Sequence, residues 1–167
     1  MARTIIILPA KTMMLKNRLQ KVNLYSQVLM VLTSVHHIYG AYAYNTPWRL
    51  HVLFLSIPII IITTLLKNYL VNKEKLKKNI AIWVYWLIVL IASVVLIGSY
   101  EGIYNHLLKN LLFFSGLDNK TLTILFPPST YEMPNNFFFE FTGVLQAIIA
   151  IILWVWFVRL TKSVSEK

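Results

Sequence analysis

The chain has 167 residues, enough for one domain, but it is 57% hydrophobic and 13% charged with a mean hydropathy of +0.64, which excludes a soluble domain of that size. A net charge of +10 would suit nucleic acid, yet the basic residues gather beside long apolar runs, as in a membrane protein, and nucleic acid is not read as a partner. There is no cysteine, which excludes disulfides, thiolate metal sites, thiol nucleophiles and covalently attached c-type haem.

Residues 1–23 read as a basic interfacial arm, with Pro9 suited to the first turn of a helix and a flexible arm as the alternative. The apolar stretch before Pro9 is short and no small-residue cleavage site follows, so it is not read as a signal peptide. A bilayer-spanning helix needs about 20 mostly apolar residues. Residues 24–44, 48–70, 80–100 and 137–158 meet that demand, so the fold expected is an all-α, four-transmembrane-helix bundle in one domain.

Asn45-Thr46-Pro47 makes a tight turn between the first two spans, with Thr46 as N-cap and Pro47 at the first helical position. Pro58 falls inside the second span, where it frees the Phe54 carbonyl and should bend the helix. The charged connection to the third span reads as a helical extension. Residues 101–136 form the one long excursion: apolar residues at helical spacing up to a stop at Gly116, then an irregular, Pro-rich loop. Asn135 or Asn136 caps the last span.

Of sixteen basic residues, all but Arg49, Lys109 and Lys120 lie in the N-terminal arm, in the connection between spans two and three, or after the last span. With four spans these segments share one side, and the positive-inside bias makes it the cytoplasm, with both termini there. A bacterial inner (plasma) membrane suits this arrangement. The clustered cations would favour anionic lipid headgroups on that side.

All four histidines and most of the acids fall at the other side. His36 and His37 lie about 18–20 Å along the first span, about 10 Å short of its outer end by helical rise. His51 enters the second span one turn after Pro47, Glu101 ends the third, His106 follows it, and Glu140 lies about one turn into the fourth. Four spans thus bring titratable groups to one layer, where ionisable residues are expensive and normally pair inside a bundle.

Imidazole and carboxylate suit zinc, iron or copper, so His36, His37, His51, His106, Glu101 and Glu140 are candidate ligands to a divalent transition metal. Glu101 and Glu140 are also candidates for general base in a metal-dependent oxidoreductase or hydrolase acting on a lipid-soluble substrate. Spacing argues the other way. Neighbouring histidines point about 100° apart on an α-helix, and Glu101 and His106 are five apart rather than the three or four that share a face. His-Glu-x-x-His and Glu-x-x-His are both absent.

The alternative function is a non-enzymatic subunit of a homo-oligomer or larger membrane complex, its histidines bonding helices together. Arg49 could pair with Glu101 or Glu140, or snorkel to phosphate. The aromatic residues near this surface read as an interfacial belt.

Overall fold

The computed structural model describes residues 10–73, 79–128 and 130–165, and among these the protein is all helix and turn, without strands. Pro9 and most of the basic connection between the second and third spans lie outside the described residues. Helix α1 runs Ala10–Ala43. A tight 3-10 turn, Pro47–His51, leads into α2, Val52–Val71. Helix α3 extends continuously over Ile80–Phe114, α4 is the short Asn119–Leu125, and α5 is Phe137–Ser165.

Cross-helix hydrogen bonds fix how these rods lie. Arg18 near the start of α1 donates to the Arg159 carbonyl near the end of α5 (2.8 Å), and Tyr39 near the end of α1 donates to Asn136 at the start of α5 (3.2 Å). The two helices are therefore antiparallel, and the described ends of the chain share one end of the molecule. Ser26–Ser93 (2.7 Å) and His37–Glu101 (3.1 Å) set α3 parallel to α1, while Gln27–Thr63 (2.9 Å) and Ser34–Ser56 (2.7 Å) fold α2 back against α1. The apolar core, including Leu19, Leu29, Tyr85, Val89, Leu153 and Leu160, fills the half nearer the chain ends.

Three helices are long and apolar enough to cross a membrane, Pro47–Val71, Ile80–Phe114 and Phe137–Ser165, and the protein is an integral membrane protein on that ground. At 34 residues α1 is long enough but not apolar enough to be among them, so the expected count of four spans is not returned. The physical reason is its inward polar load: Asn23, Ser26, Thr33, His36 and His37 are all buried within it.

Local chemistry explains several helix ends. Asn136 accepts from the Phe139 amide (3.1 Å) and caps α5. Asn79 accepts from the Ala81 amide (3.0 Å) and caps α3. After Phe114 the chain turns through Gly116 at φ +83, a left-handed conformation that glycine adopts freely, and the Leu117 amide reaches back to the Leu112 carbonyl (3.1 Å).

Two local expectations are corrected. Thr46 occupies the N-cap position, but its hydroxyl does not cap; it accepts from Arg49 Nε (2.8 Å). Part of the stretch read as irregular is α4, because Asp118 accepts from the Thr121 amide (2.9 Å) and starts a helix. That hydrogen bond holds the Asp118 carboxyl below its ordinary range. The helical spacing read after residue 100 is observed, since α3 runs unbroken to Phe114.

The middle of α3, Val89–Leu108, is wound as a π-helix, with hydrogen bonds closing five residues back instead of four. Ser99 Oγ likewise donates to the carbonyl of Val94, five residues earlier (2.9 Å). This stretch lies close on α5: a side-chain carbon on Gly102 would stand 2.9 Å from the Ala147 amide nitrogen, and one on Gly98 would stand 3.0 Å from Ala150 Cβ. Small residues on both helices allow that approach.

Candidate metal centre

The wide winding of α3 builds the polar end of the molecule. In an α-helix Glu101 and His106 would diverge. With bonds closing at five residues, position 106 returns over position 101, and His106 Nε2 stands 3.4 Å from Glu101 Oε1. Asn105 reaches the same carboxylate, donating to Oε2 (2.8 Å). The expectation that a five-residue spacing separates Glu101 from His106 fails for this reason.

From α1, His37 Nε2–H donates to Glu101 Oε1 (3.1 Å). His36 turns toward α5, where its Nδ1 lies 2.8 Å from Thr142 Oγ1. The Thr142 hydroxyl proton is already directed to the Phe138 and Phe139 carbonyls (2.9 and 3.0 Å), so the hydroxyl accepts from His36 Nδ1–H. That fixes the tautomer and leaves a lone pair on His36 Nε2. By the same logic the bond to Glu101 leaves a lone pair on His37 Nδ1. Both nitrogens are buried, and among the described residues neither has a hydrogen-bond partner.

Adjacent histidines do converge after all. The His36 and His37 rings are 5.4 Å apart between centroids at 73°, and His36 sits 4.4 Å from the His106 ring and stacks on Phe139 at 4.1 Å. His36, His37 and Glu101 each offer a ligand atom, all within 4.8 Å of one another. This His/His/Glu group could bind a metal ion.

Beyond it the charges continue. His106 Nδ1 faces Glu140 Oε2 (3.5 Å), and Glu140 Oε1 takes the Lys109 ammonium (3.3 Å), which also donates to the Glu132 carbonyl. Lys109 is only 1% exposed, so this pairing is what makes a cation tolerable there. Gly143 makes room for the assembly, because a side chain on it would collide with the His106 ring.

His51 is the predicted ligand that stays apart. It is exposed, its Nδ1–H donates to the Trp48 carbonyl of its own turn (2.6 Å), and its ring is 6.3 Å from that of His37. The 3-10 turn after Pro47 directs it to the rim. Glu140 joins the cluster through His106 rather than among the three grouped ligands.

Arg49 pairs with neither Glu101 nor Glu140 and does not snorkel. It is buried, bonds Glu132 Oε1 (3.1 Å), and lies over the Trp48, Phe139 and Tyr44 rings at 5.0 to 5.6 Å. Glu132 and Thr142 escape a reading by sequence. The first sits in an irregular loop, and an uncharged hydroxyl such as the second gives no signal in an apolar span.

A cavity of about 310 Å³ opens beside the cluster, with His37, Glu101, His106, Lys109 and Arg49 in its wall. No protein-family model matches the chain, and no curated protein or solved structure is significantly similar to it.

Proposed function

We propose that the protein is a four-span membrane protein that holds one divalent transition metal ion through His36, His37 and Glu101, in the half of the bilayer away from both termini. The observation that carries this reading is that His36, His37 and Glu101 each bring a ligand atom within 4.8 Å of the others, in a buried place where both imidazoles keep a nitrogen without a partner. An orphaned buried acceptor is costly, and a bound cation would relieve it. The Thr142 hydroxyl that orients His36 is the kind of outer partner that metal-binding histidines have.

The reading of α1 as a span rests on its outward face. Leu24, Val28, Val31, Val35 and Ile38 are its exposed large residues through this stretch, a continuous apolar stripe, while its polar groups turn inward. The basic segments then favour cytoplasmic termini and contact with anionic headgroups.

Two histidines and a carboxylate suit zinc, iron or copper, and such a set leaves coordination positions open for water or substrate. His37 and Glu101 line the cavity, so those positions would face it, as a metal-dependent enzyme with a lipid-soluble substrate requires. Glu140, held beyond His106, is the carboxylate left over for proton transfer.

A second reading, a structural subunit of a larger assembly, is favoured by the occupancy of Glu101, whose two oxygens already accept from His37 and Asn105. One experiment separates them. Elemental analysis of detergent-purified protein should find about one metal ion per chain, lost in His36→Ala and in Glu101→Gln and kept in His51→Ala. Protein that is folded and metal-free after purification in metal-replete medium would overturn the metal reading and leave the structural one.

A further inference from the structure

The cavity beside the cluster has a direction. Its lining residues Arg49, Val52, His106 and Lys109 are buried, whereas Trp48, Leu96 and Tyr100 are 49%, 42% and 48% exposed. Those three stand at the start of α2 and on the outward face of α3, so the mouth lies between these helices. Below it, on the same two helices, Phe54, Ile57, Ile91 and Val95 are exposed and form surface that lipid would cover. One side of the opening therefore faces the apolar phase, with the exposed His51 and Thr130 at its outer rim, and Val52, Leu55, Leu96 and Ile97 give it an aliphatic wall.

Its charges are spent internally. Arg49 is paired with Glu132, Lys109 with Glu140, and Glu101 with His37 and His106. What remains for an occupant is uncharged hydrogen-bonding capacity, including the Tyr100 and Tyr131 hydroxyls, bonded to each other at 2.5 Å. Burial and the Tyr100 contact push the Tyr131 phenol upward, so it stays neutral. An anionic or cationic head would have to break one of these buried pairs to be matched, and an uncharged head would not.

We infer that this cavity is a binding site, entered laterally from the bilayer between α2 and α3, for an amphiphile with an aliphatic chain and an uncharged, hydrogen-bonding head. The volume, near the lower end of ordinary ligand sites, suits the head and its first few carbons. The inference deepens the proposed function by naming the class of molecule the centre would meet; it rests on that reading for any chemistry, and on the cavity alone for binding.

The test uses the full chain in detergent, native mass spectrometry, and three eighteen-carbon probes: monoolein, oleate and oleylamine. In chelator-treated protein, where no bound ion can attract the oleate carboxylate, monoolein should bind saturably at one molecule per chain, at least about tenfold more tightly than either charged probe. Leu55→Trp, which fills the wall, and Leu96→Trp, which narrows the mouth at an exposed position, should each weaken monoolein at least about tenfold. Metal content is measured on the same samples. Equal binding of the three probes, preference for a charged one, or unchanged monoolein affinity in folded Leu96→Trp would overturn the inference. Protein that is metal-free as purified and still selects monoolein would overturn the metal reading and keep the cavity.

Discussion

The two halves of this molecule solve the problem of burying polar groups differently. Toward the chain ends, polarity comes as isolated neutral contacts in an apolar core: Ser26 on Ser93, and Gln27 on the Ile60 carbonyl, Thr63 and Thr64. At the opposite end it comes as a connected set of charges, from His37 through Glu101, His106 and Glu140 to Lys109. Isolated contacts join helices there, and the buried atoms left without a partner, such as Asn23 Oδ1 and the Tyr85 hydroxyl, belong to no group of metal-ligating side chains among the described residues. The connected set leaves imidazole nitrogens unpartnered beside a cavity, which is wasteful for cohesion alone. The contrast puts the group that could hold a metal at one end.

The largest effect should come from splitting a charge pair in that set. Glu140→Ala strands Lys109 and half of His106 in a buried site, and Lys109→Met strands Glu140. Each should lower unfolding stability in detergent by about 3–5 kcal/mol, read from denaturant titration. The double variant Glu140→Leu with Lys109→Leu should be less destabilised than either single change, because no unpaired charge remains. Single changes costing under about 1 kcal/mol would mean that water reaches the pair, and the contrast between halves would collapse.

Next in size is Gly143→Ala. The new methyl would meet the His106 ring, which must move away from Glu101, Glu140 or both. A loss of about 1–3 kcal/mol is expected, with metal retention reduced in the same samples. The same substitution at Gly116 would meet nothing in space but would strain a left-handed turn, so it should cost stability and leave metal untouched.

How far the sequence carries this picture depends on the kind of fact. Helix ends are readable where a short polar side chain or a glycine decides them, as Asn136 and Gly116 show. The common depth of His36, His37, Glu101, His106 and Glu140 follows from rise per residue alone. Partnership does not. Glu101 meets His106 only because α3 is wound wide, and nothing in the residues from 89 to 108 announces that winding. Arg49 finds Glu132, which a loop delivers from far along the chain. His51 goes to the rim because a 3-10 turn, not an α-turn, follows Pro47. The span count falls short for a related reason: the polar groups that build the site dilute the apolar character of α1.

The smallest expected effect tests the quiet half. Ser26 and Ser93 are both fully buried and bond only across the helix pair, so removing one hydroxyl leaves the other without that partner. In membrane proteins such bonds average about 0.6 kcal/mol, because a serine left alone can turn its hydroxyl to a carbonyl of its own helix. Ser26→Ala and Ser93→Ala should therefore each cost about 0.6 kcal/mol, and the double variant little more than either, since one bond is lost in all three. Metal content and monoolein binding should stay at the parental level, because Ser26 lies nearly three turns of α1 below His36. A Ser26→Ala protein that keeps its stability but loses metal would break the contrast, for it would show that the terminal half reaches into the site.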